Sequence, residues 1–241
     1  MAADLARLTR TIASAAIVVA VLGGPAAHAQ NAEPNAAELA AFAPPIVSRA
    51  EWQAKPALPG MRPQTPNAII LHHTGEMMRP KTTLEAKLRG LQAFSQKPAQ
   101  MSPGHTKPAW GDVPYHYYID AAGRIGEGRD IRLAGDTNTG YDTLGYVQVV
   151  VEGNFDKEQP TPAQIEATRK LVVWLMLVWN VTPEKVSTHK DHGQTACPGR
   201  AFLAALPELK RSMVALRSQS IASLCGGTHS PAIDRLYCSA R

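Results

Sequence analysis

The chain has 241 residues, with 25 Lys or Arg against 20 Asp or Glu, and a formal net charge of +5. It contains no run of basic residues, so its composition argues against a nucleic-acid-binding protein, while the mild positive charge suits adhesion to an anionic polymer. The length is enough for one well-buried domain with additional segments.

Residues 1–29 have the pattern of a secretory signal peptide. Arg7 and Arg10 form a basic start, residues 12–22 are apolar, and an Ala-His-Ala cleavage pattern ends at Ala29. The apolar run is shorter than the roughly 20 residues that a membrane-spanning helix needs. We therefore expect an exported protein, periplasmic or secreted, with no integral membrane association.

The segment after the signal peptide, residues 30–45, is rich in Ala, Asn and Pro and predicts a linker or flexible arm. We place the folded domain over residues 46–210. The remaining residues, 211–241, are predicted to form a C-terminal tail.

The first half of the domain carries one strand signal and one helix signal. Residues 67–73 form an apolar run between Pro66 and Gly75, which predicts a buried strand. Leucines at helical spacing predict a helix over residues 81–96. Residues 97–113 are rich in Pro and Gly and predict a long loop.

The second half predicts further strands and two helices. Residues 115–119 and 146–152 are β-prone, and a turn after the first of these leads into a strand at 124–125. Thr161 and Gln164 have the spacing of a helix capping box, and residues 201–218 predict another helix, with a possible kink at Pro207. Strands interspersed with helices indicate the α/β class, with a central mixed β-sheet flanked by helices.

Three cysteines remain after export into an oxidising compartment. Cys225 and Cys238 lie close together in the tail and are predicted to form a disulfide, which would stabilise the fold by ~3 kcal/mol if unstrained. Cys197 is then left over. Metal coordination would give this thiol a reason to stay reduced.

The segment THKDHGQTACPG, residues 188–199, concentrates side chains that bind metals. His189 and Cys197 could reach one zinc ion if the loop folds back, and His72, at the end of a predicted strand, is the best candidate for a third ligand. Three protein ligands leave one position for water, as catalytic zinc requires. Taken alone, each of these residues is equally compatible with an ordinary structural role. Three further histidines could support such a site: His73, His116 and His192.

Six segments occur in series along the chain: VSRAEW (47–52), AIILHHTG (68–75), WGDVPYHYYIDAAGRIGEGRD (110–130), VVVEGNF (149–155), TPAQIEATRKLV (161–172) and STHKDHGQTACPG (187–199). This order resembles the type 2 N-acetylmuramoyl-L-alanine amidase family, shared by phage amidase lysozymes and peptidoglycan recognition proteins, over about residues 46–205. The resemblance implies a single amidase-like domain that binds Zn2+ through His72, His189 and Cys197. It also implies hydrolysis of the amide between N-acetylmuramic acid and L-alanine in peptidoglycan or muropeptides, by a protein that we expect to be monomeric.

The resemblance further implies catalytic groups around the metal. Tyr115 matches a catalytic Tyr that precedes the strand His, and Thr195 lies two residues before the Cys ligand. Some bacterial members use a Glu on the strand before the long helix as a base, and Glu152 is the only acid on that strand. If the family Glu aligns with Val150 instead, this chain lacks the base and relies on Tyr115 and Thr195.

Two rival functions stay open from the sequence. Some members of the family bind peptidoglycan without cutting it and typically lack the Cys ligand, which this chain keeps as Cys197. A thiol hydrolase using Cys197 with His189 is also compatible, but it would leave His72 and Tyr115 without a role. Residues 134–142 depart from the family pattern, so the wall of the substrate groove is not predicted.

Overall fold

The computed structural model describes residues 36–239, and the signal peptide predicted for residues 1–29 lies outside them. The described chain contains a six-stranded sheet in the order β1-β6-β5-β7-β2-β8 and a separate hairpin, β3-β4. The strands are β1 (Ile46–Val47), β2 (Ala68–His73), β3 (Ala99–Ser102), β4 (His105–Lys107), β5 (Tyr117–Ile119), β6 (Ile125–Glu127), β7 (Tyr146–Val151) and β8 (Val186–Thr188). The helices are α1 (Ala36–Leu39), α2 (Leu84–Ser95), α3 (Pro162–Val178), α4 (Arg200–Cys225) and α5 (Pro231–Ile233), which is followed by a π-helical turn over Asp234–Cys238. The predicted α/β class with a mixed central sheet is confirmed.

The strand β2 lies between β7 and β8 and runs parallel to both. All six of its residues are buried, which explains why its sequence is a continuous apolar run rather than an alternating one. Of the remaining pairs in the sheet, only β5 with β6 is antiparallel. The strand that carries His72 is therefore paired along both edges as it leads to the candidate site.

The two faces of the sheet pack against different helices. Ile69 and Leu71 of β2 point into the larger core, together with the apolar face of α3 and residues of α4. Val150 of β7 points the other way, into a smaller core that includes Leu84 and Leu88 of α2. Because side chains alternate along a strand, His72 is on the face opposite to Ile69 and Leu71.

Two helices begin with side-chain caps. The Thr83 side chain accepts a hydrogen bond from the backbone of Ala86 and starts α2. Thr161 and Gln164 form the predicted capping box at the start of α3, with Pro162 in the first turn. These caps satisfy backbone donors that have no partner inside the helix.

The helix α4 is longer than predicted, because it continues beyond residue 218 to Cys225, and Pro207 lies inside it as expected. The predicted boundary between domain and tail, near residue 210, falls inside this helix. Leu209 and Met213 lie on successive turns and are both buried in the main core. The physical reason is that the apolar stripe of α4 packs against the same core on both sides of that boundary.

The end of the chain is tied to the domain in two ways. Cys225 and Cys238 form the predicted disulfide, and the Tyr237 hydroxyl donates a hydrogen bond to the carbonyl of Leu177 in α3. Tyr237 and Ile233 are also buried in the main core. The residues after α4 therefore extend the folded domain.

The predicted flexible arm, residues 30–45, is partly helical where the structure describes it. α1 leads into a 3-10 turn at Ala40–Phe42, and Leu39 is fully buried in the main core. The Glu38 carboxylate accepts hydrogen bonds from the backbone and hydroxyl of Ser230. Sequence composition could not show this order, because it comes from contacts with the distant C-terminal end.

The prediction of a long loop over residues 97–113 is also wrong in part, because this segment contains the hairpin β3-β4. The Lys107 side chain is fully buried, and its ammonium group donates to the carbonyls of Ser95, Lys97 and Pro108 at 2.9, 2.6 and 3.1 Å. The same group lies 4.5 Å from the ring centroid of Trp110. The hairpin is held by this tertiary anchor, which no local pattern indicates.

Within residues 36–239, every helix is too short or too polar to cross a lipid bilayer.

Replacing both Cys225 and Cys238 by Ser is expected to lower the free energy of unfolding by ~3 kcal/mol. The reason is that the disulfide, which joins residues 13 apart in sequence, then no longer restricts the unfolded chain. Urea denaturation followed by circular dichroism measures this change. Reduced wild-type protein is the matched control, since Cys197 is not disulfide-bonded. An unchanged midpoint in both samples would show that the link is energetically neutral.

Candidate metal centre and active site

The structure brings together the three side chains predicted as metal ligands. His72, His189 and Cys197 each offer one donor atom, and these atoms all lie within 4.8 Å of one another. Cys197 Sγ is 3.7 Å from His72 Nδ1, and the two imidazole centroids are 4.7 Å apart. A second group of potential ligands, around His229, includes Cys238 and is not comparable, because that sulfur belongs to the disulfide.

Each of the three donors is placed by a different element. His72 is in β2, paired in register with Val150 of β7. His189 directly follows β8 and opens a 3-10 turn. That turn is closed by the Asp191 carboxylate, which accepts hydrogen bonds from the backbone N–H and the hydroxyl of Thr188 at 2.7 and 2.9 Å.

The loop before α4 carries Cys197. Its sulfur accepts a hydrogen bond from the backbone N–H of His73 at 3.3 Å. Gly199, two residues later, has φ +89°, and a Cβ there would lie 2.7 Å from the carbonyl carbon of Phe155. A glycine is therefore required for this loop to return to the sheet, which explains the Gly of the CPG sequence.

The electrostatics of the cluster suit a metal ion. Burial, and secondarily the proximity of His189, lowers the pKa of His72 well below its ordinary value, while the Gln148 side chain opposes the shift. Burial also lowers the pKa of His189 to about 4, so both imidazoles are neutral at pH 7 and able to coordinate. Burial raises the pKa of the Cys197 thiol to about 12, and a coordinating thiol is deprotonated by the metal itself.

The donor set fits zinc by chemistry and by spacing. Two imidazoles and one thiolate are typical zinc ligands, and bond lengths of about 2.0–2.3 Å place such donors roughly 3.5 Å from one another. The distance of 3.7 Å between His72 Nδ1 and Cys197 Sγ agrees with this spacing. The other nitrogen of His72, Nε2, is buried and has no hydrogen-bond partner.

Two predicted catalytic residues lie near this cluster. The ring of Tyr115 is 5.2 Å from that of His72, measured between centroids. Burial raises the pKa of Tyr115 far above its ordinary value, so its hydroxyl keeps its proton and acts as a hydrogen-bond donor. Thr195 Oγ1 accepts a hydrogen bond from the backbone N–H of Cys197 at 3.1 Å, which leaves the hydroxyl proton of Thr195 free to donate.

The environment of Glu152 does not favour the role of base that was considered for it. Its buried carboxylate pairs with the Lys87 ammonium at 2.8 Å and accepts from the backbone N–H groups of Arg79 and Ala121 at 3.0 and 2.9 Å. The β7 residue in register with His72 is Val150. The position beside the first ligand therefore carries no carboxylate, which favours the alternative alignment with Val150.

A groove of about 520 Å³ adjoins the cluster. It is lined by Trp110, by Arg62 and by residues of the segment 134–142, including Thr139 and Tyr141. Thr139 Oγ1 lies 2.7 Å from His189 Nε2, and the Tyr141 ring centroid is 5.5 Å from that of His189. The segment that departs from the family pattern thus forms one wall of the groove beside the ligands.

Sequence reasoning missed Gln148, whose side chain is fully buried beside this site. The available signal was one amide in the middle of the apolar run YVQVVV.

His116, considered as a supporting group, instead has a structural role. Its Nδ1 accepts from the backbone N–H of Gln148 at 2.8 Å, and its Nε2 donates to the carbonyl of Leu133 at 2.9 Å.

Comparison with known proteins gives a consistent result. The family model described as N-acetylmuramoyl-L-alanine amidase matches residues 62–200. Peptidoglycan-recognition protein SD of Drosophila simulans is 32% identical over 168 residues, which is 68% of this chain and 85% of that protein.

Solved structures with the same fold include an amidase and a protein in complex with a muramyl peptide. The N-acetylmuramoyl-L-alanine amidase LysC from Clostridium intestinale superposes with a TM-score of 0.56 and 26% identity, covering 71% of this chain and 99% of that chain. Human PGRP-IBETAC, in complex with glycosamyl muramyl pentapeptide, gives a TM-score of 0.54 and 25% identity, covering 66% and 92%.

Burial lowers the pKa of His116 to about 4, and this shift makes stability depend on pH. Between the unfolded value near 6.5 and the folded value, the unfolded chain binds a proton that the native ring does not bind. As pH falls from 6.5 to 4, His116 is therefore expected to cost about 3 kcal/mol of stability.

The variant His116→Asn lacks this contribution, so the stability gap between wild type and variant should narrow as pH falls. Urea denaturation at pH 7.0, 5.5 and 4.5 measures the gap. The other histidines are common to both proteins and serve as an internal control. A gap that is independent of pH would contradict this prediction.

Proposed function

Because the chain belongs to the N-acetylmuramoyl-L-alanine amidase family, we propose that it is a zinc-dependent enzyme that hydrolyses the amide bond between N-acetylmuramic acid and L-alanine in peptidoglycan. The observation that carries this proposal is the convergence of His72, His189 and Cys197 within 4.8 Å. When bound, zinc supplies Lewis-acid activation of water and of the substrate carbonyl.

The residues of the chain supply the hydrogen bonds of the reaction. The Tyr115 hydroxyl, which stays protonated, donates to the oxygen of the scissile carbonyl as negative charge develops on it. The Thr195 hydroxyl, which is held by the backbone of Cys197, is a second donor to this oxyanion. Each such donor contributes about 2.7–4 kcal/mol of transition-state stabilisation in other hydrolases.

Glu152 is assigned to support rather than to chemistry. Its carboxylate is 1% exposed, as is the side chain of its partner Lys87. A group that accepts three hydrogen bonds in a buried pair is poorly placed to take a proton from water. The proposed reaction therefore depends on the three metal ligands, Tyr115 and Thr195.

The substrate class follows from the groove and from a relative. The groove is lined mainly by polar groups, with Trp110 and Tyr141 among its lining residues, and it meets the cluster where Thr139 and Tyr141 contact His189. The human relative whose structure contains a muramyl pentapeptide supports a glycopeptide occupant. We propose a muropeptide or a peptidoglycan strand, which an exported protein would meet in the periplasm or outside the cell.

Two other functions are weaker. A binding module without activity has no need for a buried His-His-Cys cluster. A thiol hydrolase needs a cysteine with a lowered pKa, whereas burial raises the pKa of Cys197 to about 12.

The decisive experiment incubates the purified protein with muropeptides and identifies the fragments by mass spectrometry. Cleavage after the lactyl group should stop with 1,10-phenanthroline, persist with the non-chelating isomer 1,7-phenanthroline, and return when zinc is added. Cys197→Ser is expected to lower activity by at least 100-fold, because it removes one of three ligands. Binding of muropeptides without release of peptide would identify a binding module instead. Loss of activity to iodoacetamide in the zinc-loaded protein would indicate a thiol enzyme.

A pair of variants separates Tyr115 from Glu152. Tyr115→Phe is expected to reduce kcat about 100- to 1,000-fold with little effect on stability, because only the oxyanion donor is lost. Glu152→Gln is expected to leave kcat of the folded protein within a few-fold, but to destabilise it by about 3–5 kcal/mol, because the Lys87 charge is left buried and unpaired. Steady-state kinetics and urea denaturation measure both effects. A large loss of kcat in stably folded Glu152→Gln would restore Glu152 as the base.

A further inference from the structure

Gln148 is a polar residue in the middle of the most buried part of the sheet. It is fully buried and lies on β7 in register with Ile70 of β2. Because residues two apart share a face of a strand, Gln148 is on the same face as Val150, which is paired with His72. An amide in such a position is costly unless its hydrogen bonds are made.

The hydrogen bonds of the Gln148 side chain are only half made. Its Oε1 accepts from the Tyr141 hydroxyl at 3.0 Å, whereas its Nε2 has no hydrogen-bond partner. The nitrogen end of the amide lies against Gly135, because a Cβ added to this glycine would be only 2.5 Å from Gln148 Nε2. The glycine therefore makes room for this amide.

The other unpartnered group of the same region is His72 Nε2, which is also buried. Gln148 is two residues before Val150, the register partner of His72, so its side chain and the His72 imidazole project from the same face of neighbouring strands, and the amide also affects the pKa of His72. The opposite nitrogen, His72 Nδ1, faces Cys197 Sγ at 3.7 Å. If Nδ1 binds the metal, the single proton of the neutral ring must be on Nε2, so Nε2 becomes a donor that requires an acceptor.

We propose that Gln148 is the positioning residue for His72, and that its amide carbonyl accepts the Nε2–H of the imidazole when the metal is bound. A half-turn of the amide about its terminal bond exchanges oxygen and nitrogen. After it, Nε2 donates to the Tyr141 hydroxyl, and Oε1 takes the place of Nε2 beside Gly135. A further small rotation of the side chain must bring Oε1 within hydrogen-bond distance of His72 Nε2, and both unpartnered groups are then satisfied. The inference rests on the proposed function only in that it requires a metal at this site.

This arrangement joins the metal cluster to the wall of the groove. Tyr141 contacts the amide of Gln148 through its hydroxyl, and its ring lies 5.5 Å from that of His189. One buried amide therefore connects a ligand from the sheet with a ligand beyond β8, through the segment 134–142. Hydrogen bonds of this kind fix the tautomer and orientation of a ligand imidazole.

The test measures zinc affinity by competition with a chromophoric chelator. Gln148→Met keeps the length of the side chain but removes the acceptor, and we expect it to weaken zinc binding about 10- to 100-fold. Gln148→Glu keeps an acceptor in the same place. Its zinc affinity should therefore stay within about threefold of the wild-type affinity, a smaller change than the loss expected when the acceptor is removed. Gln148→Asn, which draws the carbonyl back by one methylene, should resemble Gln148→Met and replaces it if that variant does not fold.

Gln92→Met is the matched control, because Gln92 is another buried glutamine and bonds to Asp112 and Lys55 away from the cluster. It should lose stability without losing zinc affinity. Wild-type affinity in Gln148→Met and Gln148→Asn would overturn the role of Gln148 and leave the proposed function standing. Failure of the wild-type protein to bind zinc would overturn both.

Discussion

The strand β2 is the element on which the three donor atoms of the candidate metal centre converge from distant parts of the chain. It is bonded along both edges to parallel neighbours, β7 and β8, and is buried throughout. One of these neighbours leads directly into His189, and the backbone of β2 itself donates to the sulfur of Cys197. The sheet therefore positions His72 and places His189 and Cys197 relative to it.

Buried charges hold the surroundings of this centre in place. The guanidinium group of Arg129 donates to the carbonyls of Asp112 and Val113 at 3.2 and 2.9 Å, and it pairs with Asp136. It thus links the segment that leads to Tyr115 with the segment that forms the groove wall. The Lys87–Glu152 pair links α2 to the residue that directly follows β7. Removing one member of such a pair costs more than the pair contributes, because the other charge stays buried.

The elements that the sequence predicted best are those with a local cause. The apolar run of β2, the capping box at Thr161 and the periodicity of α2 are each patterns that can be read within a few neighbouring residues. The buried position of Leu39 and the full length of α4 were missed, because each depends on contacts with residues far away in the chain. The hairpin β3-β4 was missed for another reason: its segment is rich in Pro and Gly, and a Lys gives no sequence signal that the carbonyls of Ser95, Lys97 and Pro108 will surround its ammonium group.

The candidate site divides in the same way. The types and order of its residues allowed the candidate ligand set His72, His189 and Cys197, with Tyr115 and Thr195, to be chosen from the sequence by resemblance, and the family membership followed. Only the tertiary structure decided that Val150, not Glu152, is paired with His72, and that Thr139 and Tyr141 of the segment 134–142 contact His189. The reason is physical: residue chemistry is carried by the sequence itself, whereas strand register and the partner of a buried group are set by pairing across the whole sheet.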